Sequence, residues 1–231
     1  MRNYIIIGGS SGIGKELVSL LEEQEVSIIA TFNKNEVQNR KKVTYIQLDV
    51  TTDSLNLDNL PEEIHGLAYC PGSINLKPFH RFKEEDFIAD FKLQVLGATN
   101  IIQQLLPKIK KSEDASILLF STVAVQSGFN FHSQVAMSKG AIEGLTRSLA
   151  AELAPTIRVN AIAPSLTNTN LASRFLNTPA KMDLQAENNP LKKIGDAKNV
   201  AEAAAFLITP KSAWITGQII HVDGGFSKIK Q

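Results

Sequence analysis

The sequence has a single cysteine, Cys70, so no intrachain disulfide can form and no thiolate cluster is on hand to hold a metal. No apolar run approaches the roughly 18 residues of a membrane span. The apolar run at the N-terminus, Tyr4-Ile5-Ile6-Ile7, is too short for the core of a secretion signal. Neither sign of charge dominates: 24 Lys and Arg against 23 Asp and Glu leave a formal net charge of +1. A dedicated nucleic-acid or membrane-surface binder would carry a basic surplus, and the pairs Lys41-Lys42, Lys110-Lys111 and Lys192-Lys193 are scattered, as on solvated faces. No internal repeat, low-complexity tract or linker divides the chain. These absences lead us to expect one cytoplasmic domain over residues 1–231, with no metal centre and no nucleic-acid or membrane partner. With 43% hydrophobic residues, a chain of this length can bury a substantial core.

What the sequence does have is a glycine loop. Gly8-Gly9-Ser10-Ser11-Gly12-Ile13-Gly14 follows the β-branched run directly, and Lys15 to Leu21 then resumes with helical character. Strand, tight loop and helix in this order make an anion site, because glycines let the backbone approach a ligand and the first N–H groups of the helix point at it. A dinucleotide pyrophosphate is the usual guest at the start of an α/β chain. The spacing Gly-x-x-x-Gly-x-Gly differs from the commoner Gly-x-Gly-x-x-Gly, and a bare turn is the competing reading.

Strand and helix patterns alternate along the rest of the chain, which predicts a doubly wound, seven-stranded parallel sheet with helices on both faces. Strands are expected at Val26 to Phe32, Val43 to Leu48, Leu67 to Cys70, Ile117 to Phe120, Ile157 to Ile162 and Gln218 to Val222. A long helix is expected from about Glu84 to Leu106, ended by Pro107. A second carries Val135, Ile142, Leu145 and Leu149 on one face, with Ser133 as its N-cap and Gln134 pointing away from Lys139. Asp196 reads as the N-cap of a helix through Ile208. The polar stretch 168–190 has no clear period and reads as a mobile, partly helical flap over the strand ends.

Taken together, these residues resemble the short-chain dehydrogenase/reductase family, over nearly the whole chain. The likeness rests on Gly8-x-x-x-Gly12-Ile13-Gly14, Leu48-Asp49-Val50-Thr51, Ser138-Lys139-Gly140-Ala141, Arg158 to Pro164, Trp214 to Gln218 and Val222 to Gly225. The family is a set of single-domain Rossmann oxidoreductases. The resemblance implies that Gly8, Ser10, Ser11, Gly12, Ile13 and Gly14 hold the pyrophosphate. Asp49 would accept from the adenine amino group, with Val50 beside the ring, although Asp49 also suits a turn after a strand. Pro164, Thr167 and Thr169 match the region that holds the nicotinamide carboxamide; the two threonines could equally cap their own loop. Thr31-Phe32-Asn33-Lys34-Asn35 puts no acid at the tip of the second strand, where one would pair with the NAD ribose. Asn33 and Lys34 could meet a 2′-phosphate instead, so NADP is expected ahead of NAD, unless Lys34 is only a solvated lysine.

The chain departs from the family at its catalytic residues. The family's Tyr-x-x-x-Lys becomes Val135-Ala136-Met137-Ser138-Lys139. Thr122, beside Ser121, takes the place of the substrate-orienting serine, and Gln94 that of the asparagine in the long fourth helix. Asn-Asn-Ala-Gly is replaced by Tyr69-Cys70-Pro71-Gly72. The resemblance still makes Lys139 the ribose ligand and Thr122 a hydroxyl for the carbonyl. His132 is a candidate replacement acid, since histidine can release a proton near neutral pH; a surface or capping role is the plainer reading. The expected function is NAD(P)(H)-dependent oxidation and reduction of a small alcohol or carbonyl with a non-standard active site. The alternative is a cofactor-binding pseudoenzyme that senses or scaffolds. Family analogy also implies a homotetramer or homodimer built on helices matching 84–106 and 134–152 and on the last strand, which the short polar tail 227–231 leaves uncovered.

Overall fold

The structure, a computed structural model, describes residues 1–229, so the last two positions of the expected polar tail lie outside the described residues. The strands of the main sheet are β1 (Arg2–Ile7), β2 (Val26–Phe32), β3 (Val43–Gln47), β4 (Gly66–Tyr69), β5 (Ala115–Phe120), β6 (Ile157–Pro164) and β7 (Ile219–Val222), and Thr167–Asn168 pairs with Gly195–Asp196 in a separate two-stranded ladder. The helices are α1 (Gly12–Glu22), α2 (Glu84–Phe91), α3 (Gly97–Ile109), α4 (Ser133–Leu153), α5 (Pro179–Glu187) and α6 (Ala197–Ile208). All seven strands run parallel, in the order β3-β2-β1-β4-β5-β6-β7. Alternation along β1 divides the core between the two faces. Ile5 and Ile7 pack with Ile101, Leu105 and Ile142 from α3 and α4, whereas Tyr4 and Ile6 pack with Leu17, Leu21, Val200 and Ala204 from α1 and α6. Covered on both sides, β1 needs the unbroken apolar run that marks it in the sequence.

β1 is flanked by β2 on one side and β4 on the other, so the chain turns in opposite directions from the ends of β1 and β4. That divergence opens a crevice at the carboxyl ends of the strands, where doubly wound folds bind ligands.

The expected long helix is broken in two, and Pro107 does not end it. A π turn over Lys92–Leu96 joins α2 to α3, and α3 runs through Pro107 to Ile109. The π turn has a tertiary cause. The Tyr69 hydroxyl reaches in from the end of β4 and donates to the Leu93 carbonyl at 2.5 Å, and a Cβ on Gly97 would lie 2.4 Å from the same hydroxyl. A side chain entering the helical ladder reorganises it locally. Pro107 forfeits one backbone bond, but Leu105 and Ile109 on either side are fully buried, and that packing carries the helix past it.

At the start of α4 the cap position belongs to His132 rather than Ser133, which is the first helical residue and keeps its hydroxyl buried without a partner. Gln134 donates to the Asp86 carbonyl, away from Lys139. Asp196 caps α6 as expected, accepting from Asn199 N–H at 2.9 Å. The stretch expected as a flap folds into a 3-10 segment, Asn170–Phe175, followed by α5. Arg174 ties it to the Ile74 carbonyl, and Asn189 Nδ2 donates to the Asp223 carbonyl at 2.9 Å. Among the described residues no helix is long and apolar enough to cross a membrane.

Candidate active site and cofactor groove

The glycine loop lies in the crevice. Gly8 and Gly12 adopt φ of +75° and +51°, conformations that a Cβ would strain. Gly8 N–H donates to Thr31 Oγ1 at 2.8 Å and fixes the loop to β2. Gly14 lets α1 lie against the loop: a Cβ there would sit 2.3 Å from the Gly8 carbonyl oxygen. Gly14→Ala is therefore expected to force loop and helix apart and to destabilise the fold by roughly 1–3 kcal/mol. Urea unfolding of the purified variant, compared with the parent chain, measures this.

The loop borders a groove of about 520 Å³ lined by Gly8, Ser10, Ser11, Gly12, Ile13 and Gly14, with Asn33 and Val50 beyond them. No carboxylate is among its lining residues. Lys34 is exposed outside the lining. Asp49 is also outside it; its Oδ1 accepts from Thr51 N–H at 2.9 Å and Thr51 Oγ1 at 2.6 Å. These bonds, with help from Asn33 and the charge of Lys34, hold the Asp49 carboxyl below its ordinary range.

A second cavity, of about 440 Å³, continues from the groove, sharing Ile13, Cys70, Gly72, Thr169 and Leu171 with it. It brings together Ser121, Thr122, Gln94, His132, Val135, Lys139, Pro164 and Thr167. Phe120, Phe129, Phe175, Phe226, Ile74 and Leu76 make its walls largely apolar. Thr122 Oγ1 accepts from Ala124 N–H at 3.3 Å, which leaves its own hydrogen to point elsewhere. Ser121, by contrast, donates to Glu143 Oε1 at 2.9 Å, so its hydroxyl is committed inside the core. His132 Nδ1 lies 2.8 Å from the Asn130 carbonyl. Thr167 Oγ1 donates to the Ser165 carbonyl at 3.0 Å and Thr169 Oγ1 to the Thr167 carbonyl at 3.4 Å, the loop-capping use left open above.

Burial sets the electrostatics of this cavity. It pulls the Lys139 ammonium down to about 8, with the Asp90 carboxylate opposing the fall. It pushes the Cys70 thiol up to about 12, which keeps it neutral. Sequence reasoning missed Asp90 and Ser73. Asp90 is 4% exposed and bonds Ser73, Ser138 and Gln94. The signal was a carboxylate four residues before Gln94, on the stripe that continues through Ala98 and Ile101 into the core.

Fold and crevice define a Rossmann-type α/β protein. A family model described as enoyl-(acyl carrier protein) reductase matches residues 8–227. A tropinone reductase homolog of Arabidopsis thaliana is 31% identical over 97% of this chain and 92% of its own. A short chain dehydrogenase family protein from Francisella tularensis superposes with a TM-score of 0.91 at 26% identity, covering 99% of this chain and 100% of that one. ElxO, solved with NADP bound, superposes with a TM-score of 0.87 at 23% identity, over 97% of this chain and 98% of its own. The chain belongs to the short-chain dehydrogenase/reductase family of NAD(P)-binding oxidoreductases.

Proposed function

We propose that this chain is an NADP(H)-preferring oxidoreductase that interconverts a small, largely apolar carbonyl compound and its alcohol. The observation that carries the reading is the junction of two cavities, one bordered by glycine backbone and free of carboxylates, the other apolar with Thr122, Gln94 and Lys139 among its lining residues. The groove suits a dinucleotide: the positive φ values of Gly8 and Gly12 and the close approach at Gly14 make a cradle that side chains would fill.

In this reading the backbone from Gly8 to Gly14 binds the pyrophosphate. Val50 packs on the adenine and Asp49 accepts from its amino group through the oxygen that Thr51 leaves free. Asn33 and Lys34 meet the 2′-phosphate, and Lys139 binds the nicotinamide ribose. Pro164, Thr167 and Thr169 border the nicotinamide. When bound, the nicotinamide supplies or accepts hydride. Thr122 donates a hydrogen bond to the carbonyl oxygen, and the phenylalanine-lined walls exclude water. ElxO holds NADP on this fold, which supports the cofactor class. Val135 stands where the family has its tyrosine, and this favours a second reading, a cofactor-binding protein without turnover.

Exposed apolar residues on α2, α4 and the π turn, Ile88, Met137 and Leu96, support assembly through these helices as a homodimer or homotetramer. Fluorescence titration with NADPH and NADH tests the cofactor assignment. NADPH is expected to bind more tightly. Tighter NADH binding overturns the preference, and no binding of either overturns the oxidoreductase reading.

A further inference from the structure

The cavity's far wall hides a carboxylate whose partners come from three separate segments. Asp90, near the end of α2, accepts from Ser73 on the loop after β4, from Ser138 Oγ on α4 at 2.6 Å, and from Gln94 Nε2 at 2.8 Å to each oxygen. No cation lies within ion-pair distance of it among the described residues. Lys139 follows Ser138 on α4, and its Nζ makes no hydrogen bond or ion pair among the described residues. Its charge and that of Asp90 still attract each other through the buried interior.

Gln94 connects the two groups. With Nε2 fixed on Asp90, its Oε1 turns the other way and is buried with no partner. A Cβ on Gly72 would lie 3.3 Å from that oxygen and 3.8 Å from Lys139 Nζ, so both polar atoms border the same small space. An orphaned acceptor and an unpaired ammonium bordering one space in a cavity wall are costly to bury unless a ligand completes them. Val135, one turn earlier on α4, has no proton to give. The other titratable groups lining this cavity are the Cys70 thiol, neutral through burial, His132 at the start of α4, and Lys193 on the segment between α5 and α6.

We propose that Lys139 itself delivers the proton to the substrate oxygen, and that Asp90 is the positioning residue that keeps this lysine charged and Gln94 turned toward it. The inference rests on the oxidoreductase reading above. As the carbonyl carbon accepts hydride from the reduced nicotinamide, the C=O π pair moves to oxygen. An O–H bond forms there as one Nζ–H bond breaks, and the neutral amine regains a proton from bulk solvent once the product has left. The carbonyl is reduced and the nicotinamide oxidised.

The test is competitive acylation of Lys139 across pH, read by peptide mass spectrometry on the cofactor-free protein, beside the pH profile of NADPH-dependent turnover. Asp90→Asn and Asp90→Ser both remove the charge and keep an acceptor, and the second serves if the first does not fold. The wild-type labelling midpoint is expected near 8, and the neutral variants should move it down by about one unit or more. The alkaline limb of turnover should move with it, a shift that a purely structural role for Asp90 does not produce. An unmoved labelling midpoint in a folded variant overturns the role of Asp90. A moved midpoint with an unmoved turnover limb overturns Lys139 as donor. Absence of wild-type turnover overturns the donor role together with the oxidoreductase reading, whatever the labelling shows.

Discussion

Lys139→Met is expected to lower the rate of carbonyl reduction by about 10²–10⁴-fold, the range a general acid contributes. Methionine fills nearly the same buried volume without charge, so the loss reports chemistry rather than a cavity. Lys139 is 9% exposed and lines the inner cavity. In the proposed function it both binds the ribose and faces the substrate oxygen. The variant should therefore also weaken NADPH binding, and steady-state kinetics with a parallel binding titration separates the two effects. The residual activity should no longer fall as pH rises through about 8, because the group whose ammonium loses its proton there has been removed. A persistent alkaline limb in the variant would assign that limb to another residue.

Val135→Tyr is expected to act in the opposite direction. Val135 is 6% exposed and lines the inner cavity one helical turn before Lys139. Tyr69 and Phe131 do not fill this space: the Tyr69 hydroxyl is bound to the Leu93 carbonyl, and Phe131 is 53% exposed on a loop with φ of 70°. A phenol there gives the site a directly placed donor, with the neighbouring ammonium favouring its ionised form. Turnover is expected to rise into the lower part of the 10²–10⁴-fold range, and the pH profile should change because the proton no longer comes from Lys139. Fitting the ring costs roughly 1–3 kcal/mol of stability through overpacking, measurable by thermal unfolding. An unchanged rate and pH profile in a folded variant would contradict the placement of the substrate against this turn of α4.

The parts of the molecule legible in the sequence are those written in neighbouring residues. Tyr4 to Ile7 breaking into Gly8 specifies both a buried strand and the loop that follows it. Asp196 and Asn199 form their capping box within a single turn. The resemblance to a known family then placed Thr122, Gln94 and Lys139, and the structure brings all three to one cavity. The features that escaped are made by contacts across long sequence separations. The π turn depends on Tyr69 reaching Leu93 from another strand, which no helical pattern reveals. Ser121, the hydroxyl beside Thr122, is committed to Glu143 on α4, a contact that no local pattern reveals. Asp90 meets Ser73 and Ser138 only in the folded chain, although a carboxylate on an otherwise buried helical stripe was a visible departure from amphipathic pattern. Pro107 misled for a different reason: the local rule was sound, but burial of Leu105 and Ile109 outweighed it.

The most direct measurement of the central claim is NADPH oxidation by the wild-type protein over a panel of aromatic and aliphatic ketones and aldehydes, followed across pH. The account predicts turnover of an apolar carbonyl that is fastest while Lys139 is protonated and declines as pH rises through about 8. NADPH that binds but is not oxidised by any carbonyl at any pH would contradict it, and would leave the chain a cofactor-binding protein without catalysis.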